Sequence, residues 1–497
     1  MDKREAAEKL MRFFGDANAI GVFHSILVEL SKYIIIFLFA IYTWHCFSVF
    51  LGKSEEKMEK IYHRQNRIMY SIHVMCALVL FLNSLDGKLL GLFCLQLVLL
   101  IFVNKAYVYV YKKASKMVLN NMLMLLMTGF VIIGRINQGY VIRQMLFAAA
   151  ICVVGLFIPF LIEKYKHFNR YGVVYAVLGI VFLALVFVIG TERYGARNWI
   201  AFGGFALQPS EFVKIIYVFF LAAFLAKMTD FRHVVSVGAA AGVHVLILVA
   251  EKDLGAALIF FITFIVMLYV ATQDGRYLFA GLFGGAVAAV GAYHFFTRVQ
   301  TRVTAWRDPW GTINGAGYQV ARSLFAIGTG GWFGMGLGEG IPAKIPIAES
   351  DFIFSVISEE LGAFFAICLI LVEVSCFVMF VNIALKMKRR FYKLVAVGLA
   401  VEYIFQVFLT IGGVTKFIPS TGVTLPLVSY GGSSVISTIV LFCIIQGMYV
   451  LNEEEGDFSH EGERGKQENG RKRQTAESRG RERPKKVVRN TKGRRRG

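Results

Sequence analysis

Apolar stretches of about 18 residues or more recur along the chain, separated by short polar breaks. A stretch of that length crosses a hydrocarbon core of about 30 Å as an α-helix. Thirteen spans are predicted, at 31–51, 69–85, 89–110, 118–135, 143–162, 171–190, 210–228, 233–250, 254–272, 277–296, 352–382, 392–411 and 431–450. Nothing alternates with the period of a membrane β-barrel. The pattern is that of an all-α polytopic membrane protein. Basic loops at Lys53–Arg67, Tyr111–Lys116, Glu163–Arg170, Lys227–His233, Asp274–Arg276 and Lys386–Lys393 all fall on one side of this alternation. Such loops stay in the cytoplasm, which puts the N-terminus outside and the C-terminus inside.

Two outer loops interrupt the rhythm, Thr191–Pro209 and Phe296–Ser350. The second carries Trp306, Trp310, Tyr318, Trp332 and Phe333, a composition that argues against disorder. It also holds ten glycines from Gly311 to Gly340. Together these predict a packed re-entrant segment beside a cavity, where irregular backbone is tolerated at membrane depth. The stretch Gly328–Gly340 lacks the pattern of a nucleotide-binding loop and reads as tight turns or close packing. From Asn452 onward the chain is polar, with basic clusters at Arg471–Arg473 and Arg494–Arg496. A disordered cytoplasmic tail is expected there, either merely solvated or in contact with anionic membrane lipid or an acidic partner.

The composition is 57% hydrophobic with a net charge of +20. Much of that charge sits in short loops beside the spans and in the tail, so it marks membrane orientation and not a nucleic-acid partner. All seven cysteines lie in apolar runs. Neither a disulfide framework nor a zinc site is expected.

Chemistry is most legible at Ile345–Gly362, IPIAESDFIFSVISEELG. Carboxylates in hydrocarbon cost roughly 2.5–3.5 kcal/mol or more, yet Asp351, Glu359 and Glu360 fall within ten residues. Asp351 stands where a loop meets a helix. It reads as an N-cap, as a proton acceptor, or as both. On helical spacing Asp351, Ser355, Ser358 and Gly362 share a face. Glu359 then shares Asp351's cavity at greater depth, or joins helices by hydrogen bonds as Glu360 does. A second constellation is Arg193–Lys214. Glu211 and Lys214 are within i,i+3 reach and form either a buried ion pair or, with Arg197, part of an anion site. The third is Thr410–Ser434, whose prolines, glycines and hydroxyls, Ser429 and Ser433 among them, break the helix around the unpaired cation Lys416. Such broken helices are found at membrane substrate sites and also in plain hairpins. Asp253 reads as the N-cap of the span it precedes. Glu402 and Gln406 point into the bundle.

Four blocks, GARNWIAFGGFALQPSEFVK, EKDLGAALIF, GYQVARSLFAIGTGGWFGMGLGEG with SDFIFSVISEELG, and FIPSTGVTLPLVSYGGSS, resemble the SEDS family of bacterial cell-wall proteins, the FtsW/RodA/SpoVE group. The resemblance covers about Val118–Val450. It implies a ten-helix core over 117–451, preceded by a three-helix membrane extension over 1–116 and followed by the tail, 452–497. It also implies a peptidoglycan glycosyltransferase that polymerises lipid II at the outer membrane face, in elongation, division or sporulation. The aspartate of the DFIF motif, here Asp351, is the implied catalytic residue. Cations must receive the departing lipid pyrophosphate, and Arg197, Lys214, Lys344 and Lys416 are candidates. The nascent glycan strand and a class B penicillin-binding protein are the implied partners. No cofactor is evident; a divalent cation such as magnesium is compatible with the chemistry, although no metal motif occurs. A lipid II flippase without covalent chemistry is the rival reading. Ser350 and Glu251-Lys252 depart from the family's usual threonine and Gln-Pro, as do Thr410-Ile-Gly-Gly and Lys416 from its usual residues.

Overall fold

The computed structural model describes residues 17–51, 54–165, 167–193, 196–202, 205–227 and 230–454. The chain divides into Met1–Val450 and Leu451–Gly497. Of the latter only 451–454 is described, so the expected tail lies outside the described residues.

The helices follow the hydropathy pattern. α1 (Ala17–Leu51), α2 (Glu55–Ser84) and α3 (Gly87–Val110) come first. α4 (Lys116–Ile136) follows, then α5 (Gln138–Gly155), continued by the short α6 (Phe157–Lys164), and α7 (Gly172–Ile189). After a three-stranded sheet come α8 (Pro209–Leu225), α9 (Phe231–Ala250), α10 (Leu254–Thr272) and α11 (Gly275–Phe295). Two helices of the long loop after α11 are α12 (Thr297–Arg307) and α13 (Tyr318–Gly330). The bundle closes with α14 (Ile353–Lys386), α15 (Arg390–Val414) and α16 (Gly432–Glu454). Among the described residues twelve helices are long and apolar enough to span a membrane. The remaining predicted span, 210–228, is α8, a helix of 17 residues.

Side-chain caps set several starts. Ser54, Ser115, Asn137, Asp230 and Asp253 each accept an amide hydrogen from the first turn of α2, α4, α5, α9 and α10, which satisfies donors a helix leaves unpaired. The centre is marked by α4, buried around its circumference from Met117 to Gly134. A helix apolar on all sides belongs in a core or against lipid. α11 takes the second place, with no buried residue.

Three features depart from the sequence reading. Thr191–Pro209 is not a plain loop: β1 (Thr191–Arg193), β2 (Ala196–Phe202) and β3 (Phe205–Leu207) form an antiparallel sheet in that order. The long loop is partly helical, because α12 and α13 occupy 11 and 13 of its residues. And α14 is broken at Gly362, with φ 78° and ψ 174°, so residues beyond the break do not continue the face that begins at Ser355. The break is filled by the glycine-rich segment. Met335 and Gly336 donate amides to the carbonyls of Glu359 and Glu360, both at 2.9 Å. Ala363 and Phe364 donate to Gly331 and Trp332 at 2.9 and 3.2 Å. A Cβ on Gly334 would lie 2.2 Å from the Glu360 carbonyl oxygen, so only glycine permits this approach.

Candidate functional site

Asp351 lies two residues ahead of α14. The capping position belongs to Phe352, and no side chain caps this helix. That corrects the N-cap reading. The Asp351 carboxylate accepts instead from the Ser350 hydroxyl at 2.9 Å. It sits part-buried in a turn where Phe352 donates its amide to the Ile347 carbonyl at 3.4 Å. Burial raises its pKa above the ordinary carboxylate value. The Ser350 hydrogen bond and the Arg302 and Arg298 charges oppose that rise, and Glu349 adds to it.

Arg298 and Arg302 are the residues the sequence reading missed. They stand four apart on α12 and so share a face. The Arg302 guanidinium donates to the Thr421 carbonyl at 2.8 Å, and Trp306 of the same helix donates to the Lys416 carbonyl at 3.1 Å. α12 is thereby pinned across the segment before α16. Gly422, with φ +71°, lies between the opposing charges: a Cβ there would be 3.2 Å from Arg302 Nη2 and 3.4 Å from Asp351 Oδ2. Arg302 and Asp351 thus converge on one small space without forming a direct ion pair. Arg298 Nη1 is buried and has no hydrogen-bond partner. Desolvation and the neighbouring Arg298 lower Arg302 to about 10, with Asp351 and Asp253 acting the other way. It remains cationic at neutral pH.

The rest of the broken segment anchors this arrangement. Ser429 donates to the Ser350 carbonyl at 2.6 Å and accepts from the Leu425 amide at 2.9 Å. Tyr430 donates its amide to the Glu349 carbonyl at 2.8 Å. Ser433 accepts from the Gln208 amide at 2.9 Å. Both serines are buried. The structure therefore uses their hydroxyls to fix the backbone flanking Asp351 and the start of α8. Lys416 has φ 61° and a part-buried side chain, with no ion pair among the described residues. Lys344 is exposed in a 3₁₀ turn.

Asp253 is a junction as well as a cap. One carboxylate oxygen accepts the Ala256 amide at 3.1 Å. The other accepts from Asn198 at 2.8 Å, Gln208 at 2.9 Å and Ser210 at 3.4 Å. It joins β2, the start of α8 and α10. Beside it, Glu251 is 2% exposed with both carboxylate oxygens unpartnered. Burial and the Asp253 charge push it up to about 8.

Other expected groups lie elsewhere. Arg197 is exposed and donates to the Gly190 carbonyl at 3.1 Å. Lys214 is buried, paired with Glu211 at 2.9 Å and donating to Gln406 at 2.7 Å. So the ion-pair alternative holds for Lys214, and its partners are not those of Arg197. Glu402 lines the same small cavity, about 10 Å³, room for a single water. Glu359 does not open into the Asp351 space: its carboxylate accepts the Ile341 amide at 3.2 Å. Glu360 accepts the Gly338 amide at 3.0 Å and faces Arg135 at 3.5 Å. Both glutamates hold the glycine-rich segment, a use the helical wheel does not reveal.

Residues 129–453 match the FtsW/RodA/SpoVE family, described as cell cycle protein. The chain is 36% identical over 323 residues to the peptidoglycan glycosyltransferase RodA of Mycobacterium tuberculosis, covering 61% of this chain and 69% of the relative. It is 36% identical over 315 residues to stage V sporulation protein E of Bacillus subtilis, covering 61% and 84%. A chain from the structure described as "Structural coordination of polymerization and crosslinking by a peptidoglycan synthase complex" superposes with a TM-score of 0.57 at 27% identity, over 68% of this chain and 97% of that one. The rod shape determining protein RodA of Thermus thermophilus gives 0.51 at 25% identity, over 68% and 96%.

Proposed function

The chain belongs to the FtsW/RodA/SpoVE family, and from that premise we propose that it polymerises lipid II into glycan strands, with Asp351 as the general base. It is a multi-pass membrane protein and a peptidoglycan glycosyltransferase by its relatives. The observation that carries the reading of the site is the convergence of Asp351 and Arg302 on Gly422. An acceptor hydroxyl placed there would meet a carboxylate whose burial strengthens it as a base.

The reaction forms one bond and breaks one. The acceptor oxygen attacks the anomeric carbon of the donor glycan, and Asp351 takes its proton. The bond from that carbon to the undecaprenyl pyrophosphate oxygen breaks, and its electron pair leaves with the pyrophosphate. Arg302 and Arg298 present charge to that leaving group, where preorganised donors are worth most. In this reading the role first given to Arg197, Lys214, Lys344 and Lys416 passes to Arg302 and Arg298. Among the described residues no three histidine, cysteine or carboxylate groups gather to hold a metal; a divalent cation such as magnesium would be held by one or two carboxylates together with the substrate's pyrophosphate.

Basic loops support an orientation with the N-terminus outside and the C-terminus cytoplasmic, which puts the Asp351 end of α14 in the outer leaflet. There the lipid-linked sugar supplies its own leaving group, and nucleotide energy is not needed. The extent of the family match supports a ten-helix core with α1–α3 as an extension. By analogy with the synthase complex, a class B penicillin-binding protein that crosslinks the product is the partner. Purified chain given labelled lipid II should form polymer, and Arg302→Gln should lower kcat/KM by about 10²-fold. Lipid translocation without polymer would favour the flippase reading instead.

A further inference from the structure

The family match begins at residue 129, inside α4, and leaves α1–α3 without a role. Two of them, α1 and α2, touch the glycine-rich segment 331–340. Lys32, midway along α1, donates to the Gly334 carbonyl at 3.3 Å while paired with Glu29 at 2.6 Å. Asn83, in the last turn of α2, donates to the Leu337 carbonyl at 3.2 Å. Gly338 lies so close that a Cβ on it would sit 2.7 Å from Asn83 Nδ2. Tyr33 meets Phe333 with ring centroids 5.4 Å apart, and Phe39 stacks on Phe365 at 4.1 Å.

The same segment is gripped from the other side by Glu359, Glu360 and the backbone at the Gly362 break. Gly331, Gly334, Gly336 and Gly338 all have positive φ. Glycines in such conformations lose the most freedom on ordering, and a segment of them has few side chains with which to hold itself. It runs on through 341–350 directly into Asp351. Whatever fixes it therefore fixes both the approach to Asp351 and the break one short helical stretch beyond.

We propose that the middle of α1 and the last turn of α2 form a built-in clamp that holds segment 331–340 and so sets the position of Asp351, with Lys32 and Asn83 as positioning residues. This rests on the glycosyltransferase reading above. Neither residue touches the reacting atoms. Their work is to keep the catalytic carboxylate in register, where small displacements cost rate and not substrate affinity.

The test is the full-length pair Lys32→Gln and Asn83→Ala, singly and together, with Lys32→Arg as the conservative control. The double variant should lose about tenfold in kcat for lipid II polymerisation with KM within about twofold. Lys32→Arg should restore most of the rate. Hydrogen exchange should show peptides of 331–341 losing protection while those of α4 and α16 keep theirs. Full activity in the double variant overturns the proposal. So does a rate loss matched by loss of protection throughout the bundle, which would mean a merely structural role. Exchange needs no turnover: an inactive wild-type chain would sink the glycosyltransferase reading, and unchanged exchange in 331–341 would sink the clamp.

Discussion

Removing the Arg302 charge should move the acid limb of the pH–rate profile. In the proposed mechanism Asp351 works as a base only when ionised, so activity should fall as pH drops through its pKa. Burial raises that pKa, and the Arg302 guanidinium is the strongest charge opposing the rise. Arg302→Gln takes away a cation that favours the ionised carboxylate, so the pKa must climb and the limb must shift to higher pH. Two unit charges about 5 Å apart at an effective dielectric of about 20 interact by roughly 3 kcal/mol. Arg302 and Asp351 are both part-buried, so water screens a good share of this. About half survives, and at 1.36 kcal/mol per unit the limb should rise by about one pH unit. Arg302→Lys keeps the charge and should hold the limb near its original place, although kcat falls because the donation to the Thr421 carbonyl is lost. The assay is initial polymerisation rate at low lipid II, giving kcat/KM between about pH 5 and pH 9. A limb that stays put, or moves to lower pH, refutes the coupling of Arg302 to Asp351.

Gly422→Ala should cost activity far more than stability: the new Cβ meets Arg302 Nη2 at 3.2 Å and Asp351 Oδ2 at 3.4 Å, and φ +71° strains it by about 1–2 kcal/mol; polymerisation rate beside thermal melting checks this. Asp253→Ala removes a cap and strands the Asn198 and Gln208 donors, so stability should fall by about 2–4 kcal/mol, read as a lowered melting temperature. Glu251 has a folded pKa of about 8 against an ordinary 4.5. The folded chain therefore holds its proton more tightly, and the stability this contributes is full below about 4.5 and lost as pH rises through about 8. Glu251→Gln should flatten the decline in melting temperature over that window, and an unchanged slope would contradict the burial of this carboxylate.

The bundle was legible because lipid demands long apolar helices with every backbone group paired internally. Lys214 and Glu211 were legible as a pair because i,i+3 spacing brings them together on any helix. Asp351 stood out because a loop-to-helix boundary is where a carboxylate meets water. Arg302 was not visible, since its partner Thr421 is 119 residues away and only the fold brings α12 under the broken segment. Its one local signal is the arginine pair four residues apart in an outer loop. Ser429 and Ser433 show the opposite limit. A hydroxyl in a broken segment can face a ligand or tie down backbone, and sequence does not separate the two. The glycine run misled in a third way. Its density hid α12 and α13 behind the expectation of one irregular segment, although Gly330, Gly334 and Gly336 serve the approach to the Gly362 break while Gly338 and Gly340 lie against Asn83 and Glu360.

The central claim is that the Asp351 carboxylate takes the acceptor proton. Its most direct measurement is polymer formation from labelled lipid II by purified Asp351→Asn, which keeps the shape and can still accept from Ser350. The account predicts a loss of about 10²–10⁴-fold in kcat, with lipid II binding and melting temperature near wild type. Polymerisation at the wild-type rate would contradict it.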